Sequence, residues 1–494
     1  MNAEQTELRQ LLESRFPIVI VESAEERRFL QMIETVSTLS ETPLHTWSVV
    51  QGLRRHPRGE RVLETRELAA ALWHMLKTPQ NGYFVFFDAQ PFIENPEIVR
   101  LIREIGFDHT RTQQTLVFVG SELAIAPDLM RMSATFRMAP MTPDDVRKLC
   151  KEEIELYASR NNGQAVRGDS AAYELMIQHL VGLSRDDARR LVRQAIERDG
   201  RISMEDVGGV LRHKHESLGR GGALQLVTEV ETFERVGGQA RFKKWLELRR
   251  GAFLGAADAR GLDVPKGVLL LGVQGGGKSL AAKAVAGSWR VPLLRLDFGA
   301  MYDKFHGETE RNLRAALETA AAMSPCVLWL DEIEKGLATG DSSGDAGVSR
   351  RVLATLLTWM SERKNRVFLI ATANNIEALP PELLRKGRFD EIFFVDLPRP
   401  EVAAEIFRIH LEKRGHAAAQ FDLPALATAS PSFSGAEIEQ AIVAASYSAF
   451  ADKAPLAGQH VLQELRSTRP LAVLRAEEVA ALRDWADGRT VPAD

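Results

Sequence analysis

"KGVLLLGVQGGGKS", Lys266 to Ser279, decides the fold. Its first half holds a run of apolar residues, Val268 to Leu271, with the length and composition of a strand buried on both faces. Its second half matches GxxxxGK[ST], with Gly272, Gly277, Lys278 and Ser279 at the fixed positions, and "LAAKAVAGSW" then reads as helix. Such a match arises by chance about 0.02 times in a chain of this length. A strand before it and a helix after it are the setting in which the motif has a mechanism. Glycines let backbone N–H groups converge on phosphate oxygens, and a helix N-terminus adds partial positive charge. The stretch therefore implies a triphosphate loop. Lys278 reaches the β- and γ-phosphates and Ser279 serves Mg²⁺. A glycine-rich turn with a stray lysine is the alternative that this context disfavours.

Downstream, further apolar runs alternate with helical stretches: "CVLWLDE", "RVFLIATANN" and "EIFFVDLP". That alternation predicts an α/β fold, a parallel sheet with helices on both faces. Asp331 ends the first of these runs and can hold Mg²⁺, directly or through water. Glu332 is placed to polarise an attacking water. Asn374, ending the next run, can orient the same water or form an Asx turn. In "PPELLRKGRFDE", Arg385 and Arg388 lie three apart. Either they are surface arginines, or they are offered to a neighbouring subunit's γ-phosphate, where an arginine contributes about 10³ to 10⁵ in rate. From Pro400 onward the pattern is helical.

These motifs, with "FERVGG", "FHGETERNLR" and "SFSGAEIEQA" in order around them, make residues 233 to about 450 resemble the AAA ATPases, ring-forming members of the P-loop class. The wording of "PCVLWLDEIEKG" and "LPPELLRKGRFDEIFFVDLP" is similar to one subgroup of that family, from cyanobacteria, other bacteria and algal chloroplast genomes. The resemblance implies ATP and Mg²⁺ as cofactors. It implies a nucleotide contact running from Gly272 through Val273, Gln274, Gly275, Gly276, Gly277, Lys278 and Ser279 to Leu280. It places the backbone of Val236, Gly237 and Gly238 against adenine, His410 near the adenosine, and Gly435 with Ala436 on the lid side. Lys278 and Ser279 become the Walker A pair, Asp331 and Glu332 the Walker B pair, Asn374 the first sensor, and Arg385 with Arg388 the trans arginine fingers. Phe305, in "YDKFHGE", takes the place of a pore-loop aromatic that grips polypeptide; the alternative is a loop phenylalanine packed on its own domain. "GDSSGDAG", Gly340 to Gly347, takes the place of a second pore loop. The chain departs from the family where Val273 and Gln274 replace a proline pair and Gly276 replaces threonine, so the loop is expected to be looser and to bind nucleotide somewhat more weakly.

Read against this half, the first half shows parallels without the chemistry. "FPIVIVESAEE" stands where the phosphate-loop strand would, with neither glycine nor lysine after it. "YFVFFDA" stands where "CVLWLDE" would, with Ala89 replacing the second acid. "VGLSRDDARRLVRQA" parallels "PSFSGAEIEQAIVAA". The expected organisation is a degenerate AAA-like core at 1–142, a lid-like helical region at 143–215, a linker at 216–228, the ATPase core at 229–398 and a helical lid with tail at 399–494. An unrelated α/β domain is the alternative for the first half.

Bulk properties narrow the function classes. The chain has 494 residues, 45% hydrophobic and 26% charged, with net charge −4. That balance argues against nucleic acid or an anionic membrane as partner. The densest basic patch, "GLRRHPRGER" from Gly52, lacks interleaved aromatics and reads as a solvated loop. Two cysteines are too few for a disulfide framework, and no apolar run reaches the length of a membrane span. A cytoplasmic, homo-oligomeric enzyme is expected, a hexamer that remodels or threads a protein client. A nucleotide-gated regulatory or assembly ATPase without threading is the other reading.

Overall fold

The computed structural model describes residues 3–494 except 24, 58, 60, 121–122, 124, 219–222, 257–258, 260, 302–305, 338–344 and 386. The chain divides into two compact units, residues 1–167 with 180–202 and residues 168–179 with 203–494.

The first unit carries strands β1 (Ile18–Glu22), β2 (Leu44–Trp47), β3 (Arg54–Arg55), β4 (Gly82–Phe87), β5 (Gln114–Gly120) and β6 (Ser133–Arg137). They form one sheet in the order β3-β2-β4-β5-β1-β6, parallel except for β3. Every residue of β4 is buried, as expected of a strand covered on both faces. Apolar clusters fill both sides, one around Phe86, Phe118 and Ile102, the other around Val85, Phe29 and Ile33. The basic stretch read as a solvated loop is in part an edge strand. Leu53 is buried, and Arg54 and Arg55 pair with Thr46 and His45. Charged side chains suit an edge strand, because they discourage further pairing.

Two-residue strands β7 (Arg167–Gly168) and β8 (Arg201–Ile202) follow. The second unit holds β9 (Leu224–Val227), β10 (Gly267–Gly272), β11 (Leu293–Leu296), β12 (Cys326–Leu330), β13 (Val367–Ala373), β14 (Glu391–Val395) and β15 (Val491–Pro492). Their order is β15-β14-β10-β13-β12-β11-β9, with only β9 antiparallel. Substituting β1 for β10, β2 for β11, β4 for β12, β5 for β13 and β6 for β14 gives the order of the first sheet. Each sheet also ends in an antiparallel edge strand beside β2 or β11. β9 lies within the segment expected to be a linker. The fold is thus the expected α/β core, a parallel sheet between helices, preceded by a domain of the same strand order.

Four helices after β14, at Pro400–Lys413, Leu423–Thr428, Gly435–Ala451 and Gly458–Ser467, have a core of their own around Phe407, Ile438, Ile442 and Val461. The chain then returns to the sheet. Ala486 and its neighbours Leu482 and Trp485 pack on the core beneath β12, and β15 joins the edge beside β14.

Candidate active site

β10 ends at Gly272, and the chain turns at once into the helix Lys278–Trp289. The turn uses its glycines. Gly275 has φ +77 and Gly277 φ +93, conformations in which a side chain is strained. A Cβ on Gly275 would also stand 2.7 Å from Ser434 Oγ, because the lid rests on the loop here. Ala436 N–H donates to Gly275 O at 3.3 Å.

Loop, core and lid enclose a cleft of about 490 Å³. Its walls bring together Val236, Gly237, Gln274, Gly275, Gly276, Gly277, Lys278, Ser279, Leu280, Asp331, Glu332, Asn374, His410, Gly435 and Ala436, from six separate stretches of sequence. Gly238, Gly272 and Val273 stand just behind the wall. Gly238 N–H donates to Glu405 Oε2 at 2.9 Å, while the carbonyls of Gly272 and Val273 each accept from Lys278 Nζ at 2.8 Å. Lys278 is buried, and burial pushes its ammonium down to about 8 against the opposing pull of Glu334, Asp331 and Glu332. A cation short of solvent and of a full counter-charge is suited to binding an anion.

The acids sit where β12 and β13 end side by side. Asp331 Oδ1 accepts from Ser279 Oγ at 3.3 Å and from Thr372 Oγ1 at 2.8 Å, and Asp331 Oδ2 faces Arg295 Nη2 at 3.3 Å. Glu332 lies in the left-handed region, φ +48, and its N–H donates to Thr372 Oγ1 at 3.0 Å. Its carboxylate is held on both oxygens, by Asn374 Nδ2 at 3.1 Å and Lys335 Nζ at 2.6 Å. That contact raises the Lys335 pKa. Asn374 is fixed from behind, because its N–H donates to the buried Glu334 at 3.0 Å. Ser279 and Asp331 offer the hard oxygen donors that suit Mg²⁺, which commonly takes its remaining ligands from phosphate and water.

At the other end, Lys413 and Arg235 flank Glu231 at 3.7 and 3.2 Å. His410 is lowered from its usual pKa by burial, although Glu439 opposes this from 3.4 Å. Thr372, Glu334, Lys335, Arg295, Gln239, Glu231 and Lys413 were not marked by the sequence patterns. Arg385 and Arg388 do not line the cleft. Arg385 is exposed, and Arg388 Nη1 donates to the Leu357 carbonyl and to Ser361 Oγ. Phe305 and residues 340–344 lie outside the described residues.

In the first unit, the corresponding end of the sheet holds a different set. Asp88 (φ +57) follows β4, and Glu26, Glu94, Ser23 and Gln90 line a cleft of about 620 Å³ beside it. Burial and then Asp88 raise the Glu26 pKa. Carboxylates there oppose an approaching phosphate. In the same unit, Ser184 caps its helix through Asp187 N at 3.1 Å, as Ser434 in the second unit caps through Glu437 N at 3.4 Å.

A parallel sheet of this order, with a glycine loop feeding a helix and a helical lid over the loop, defines a P-loop nucleotide-handling domain. The family model described as "ATPase family associated with various cellular activities (AAA)" matches residues 268–397. Models for the N-terminal and second domains of SpoVK-like AAA ATPases match residues 4–138 and 144–221. The chain is 34% identical to the uncharacterized AAA domain-containing protein ycf46 of Trieres chinensis, over 97% of this chain and 96% of that protein. The counterpart from Pyropia yezoensis is 32% identical over 99% of each. A proteasome-activating nucleotidase of Aeropyrum pernix is 38% identical over 38% of this chain and 47% of its own length. The chain belongs to the AAA ATPase family. It binds ATP and hydrolyses it. Among the described residues, no helix is long and apolar enough to cross a membrane.

Proposed function

We propose that this ATPase assembles into a homo-oligomeric ring, a hexamer, and uses hydrolysis to remodel or thread a protein client. The observation that carries the reading is the position of Arg385 and Arg388, outside the cleft of their own chain. An arginine so placed serves catalysis only by reaching a neighbour's phosphates. Within one cleft, Lys278 and the loop N–H groups hold the phosphates, and Ser279 with Asp331 hold Mg²⁺, which supplies charge neutralisation. Glu332 orients and polarises the attacking water, with Asn374 fixing the carboxylate. Val236 and Gly237 face the base, Gly238 supports them from just behind, and His410, Gly435 and Ala436 close the lid side. Phe305 would grip the client. Partial similarity to a proteasome-activating nucleotidase supports a protein client over nucleic acid. Buried free thiols at Cys150 and Cys326 support a reducing, cytoplasmic setting.

The test is Glu332→Gln. The variant should bind ATP, hydrolyse it at least about 100-fold more slowly, and run as a hexamer by light scattering in ATP. Wild-type turnover would remove Glu332 from its role, and a monomer in saturating ATP would refute the ring.

A further inference from the structure

The loop on the base side of the cleft is held in place by a remote segment of the chain. Gly238 (φ +64) and Gln239 (φ +58) are successive left-handed residues, and Gln239 carries a side chain. Such backbone persists only where its surroundings impose it. The helix that follows, Ala240–Leu254, receives no side-chain cap from Gln239. The first N–H groups of any helix lack partners within it. Here three of them are taken up by residues 493 and 494. Ala240 N–H donates to Asp494 Oδ1 at 3.2 Å, and Arg241 and Phe242 N–H donate to Ala493 O at 3.0 and 3.1 Å.

The segment providing those acceptors is itself anchored. Val491 and Pro492 pair with Phe393 and Phe394 in β14, and Ala493 N–H donates to Phe394 O at 2.9 Å. The Ala493 side chain is buried in the apolar cluster under the sheet. The Asp494 carboxylate packs so closely on Gly238 that a Cβ there would stand 2.9 Å from it. Gly237 and Gln239, on either side of Gly238, line the cleft, whereas neither Ala493 nor Asp494 does. A carboxylate at this helix end also complements the helix dipole.

We propose that Asp494 and Ala493 are positioning residues for nucleotide binding. They cap the helix behind Val236–Gln239 and so hold that loop in the shape that receives the base. The proposal rests on the reading that this loop meets adenine. Because the two residues act on the base side, away from Glu332 and Asn374, they set affinity and leave turnover alone.

The experiment uses the full chain, with ADP affinity from calorimetry, kcat at saturating ATP, and hydrogen exchange at Ala240, Arg241 and Phe242. Asp494→Ala should weaken ADP about threefold to tenfold, the range of a lost helix cap, with kcat unchanged and faster exchange at those amides. Asp494→Asn keeps the Oδ1 acceptor and should bind like wild type. Ala493→Pro removes the N–H that anchors the segment to Phe394 and should weaken ADP further. Unchanged affinity in both Asp494→Ala and Ala493→Pro overturns the proposal, as does a fall in kcat matching the loss of affinity. Lys278→Ala separates the two layers. If it leaves ADP binding intact, the site assignment fails and the proposal falls with it. If it abolishes binding while the 493 and 494 variants have no effect, only the proposal fails.

Discussion

Replacing Thr372 by valine should damage this enzyme out of proportion to the chemical change. Thr372 is 2% exposed, within β13, and its hydroxyl joins the two acids. It donates to Asp331 Oδ1 at 2.8 Å and accepts the Glu332 N–H at 3.0 Å. Valine keeps the shape and the β-branched stem, so packing in the sheet is conserved. What disappears is a hydrogen bond to a charged acceptor, about 1.5–3 kcal/mol, and the partner of a half-buried N–H, about 1 kcal/mol. Asp331 retains Ser279 and Arg295, both at 3.3 Å, which softens the first loss. The net cost is about 2–4 kcal/mol, a fall of about 3–6 °C in Tm for a unit of this size. The catalytic cost is separate. Glu332 holds a left-handed backbone that Thr372 helps to fix. Displacing a catalytic group by about 1 Å can cost about 100-fold. We expect kcat to fall about 10- to 100-fold, with Thr372→Ser, which keeps the hydroxyl, near wild type. Thermal melts and steady-state hydrolysis measure both. If valine and serine variants match wild type in Tm and kcat, the bridge does not organise the acids and the reasoning fails.

Two further outcomes follow from the phosphate loop. Burial depresses the Lys278 pKa to about 8 in the folded chain, so without nucleotide the native state sheds that proton before the unfolded state does. Stability then rises with pH from about 8 toward the ordinary lysine value near 10.4, by up to about 1.4 kcal/mol per pH unit. Lys214, also pushed down to about 8 by burial, contributes in the same direction. The difference between wild type and Lys278→Met in urea melts therefore isolates the Lys278 share, and parallel curves would refute it. Gly276→Thr should tighten ADP about twofold to fivefold by stiffening the loop. Its Cβ would stand 3.1 Å from Val273 O, a contact the loop relieves by a shift of a few tenths of an ångström. Equal affinity in calorimetry would show that the glycine run carries no penalty.

The parts of the site legible in sequence were those whose chemistry restricts residue type. Only glycine suits the φ of Gly275 and Gly277 well, and a lysine and hydroxyl at fixed spacing after them leave few alternatives. The apolar runs declared their strands because parallel strands covered on both faces tolerate little else. Thr372 was hidden by the same rule. It sits inside "FLIATA", where a single threonine is an ordinary strand residue, and its role depends on β12 lying alongside in register. Lys335 and Glu334, on the short helix Ile333–Leu337, belong to no pattern that sets them apart from ordinary surface charge. One reaches Glu332, and the other is buried behind Asn374. Arg54 and Arg55 misled in the opposite direction, since a charged edge strand and a solvated loop have the same composition. The segment "VPAD" has no periodicity to read, and its hydrogen-bond partner Ala240 is 254 residues away.

The strand order has a consequence for synthesis. β10 has no neighbour that precedes it. It pairs with β13 and β14, so Gly267 waits for Leu369 and Val268 for Glu391. Val273 N–H, at the start of the phosphate loop, donates to Val395 O at 3.1 Å. The first sheet is closed by Arg137, so it can assemble while the ATPase half is still emerging from the ribosome. The phosphate loop cannot. A nascent chain halted anywhere between Ser279 and Val395 contains every letter of the motif, yet lacks the strand that gives the loop its shape. Nucleotide binding in this protein is thus a late event of translation.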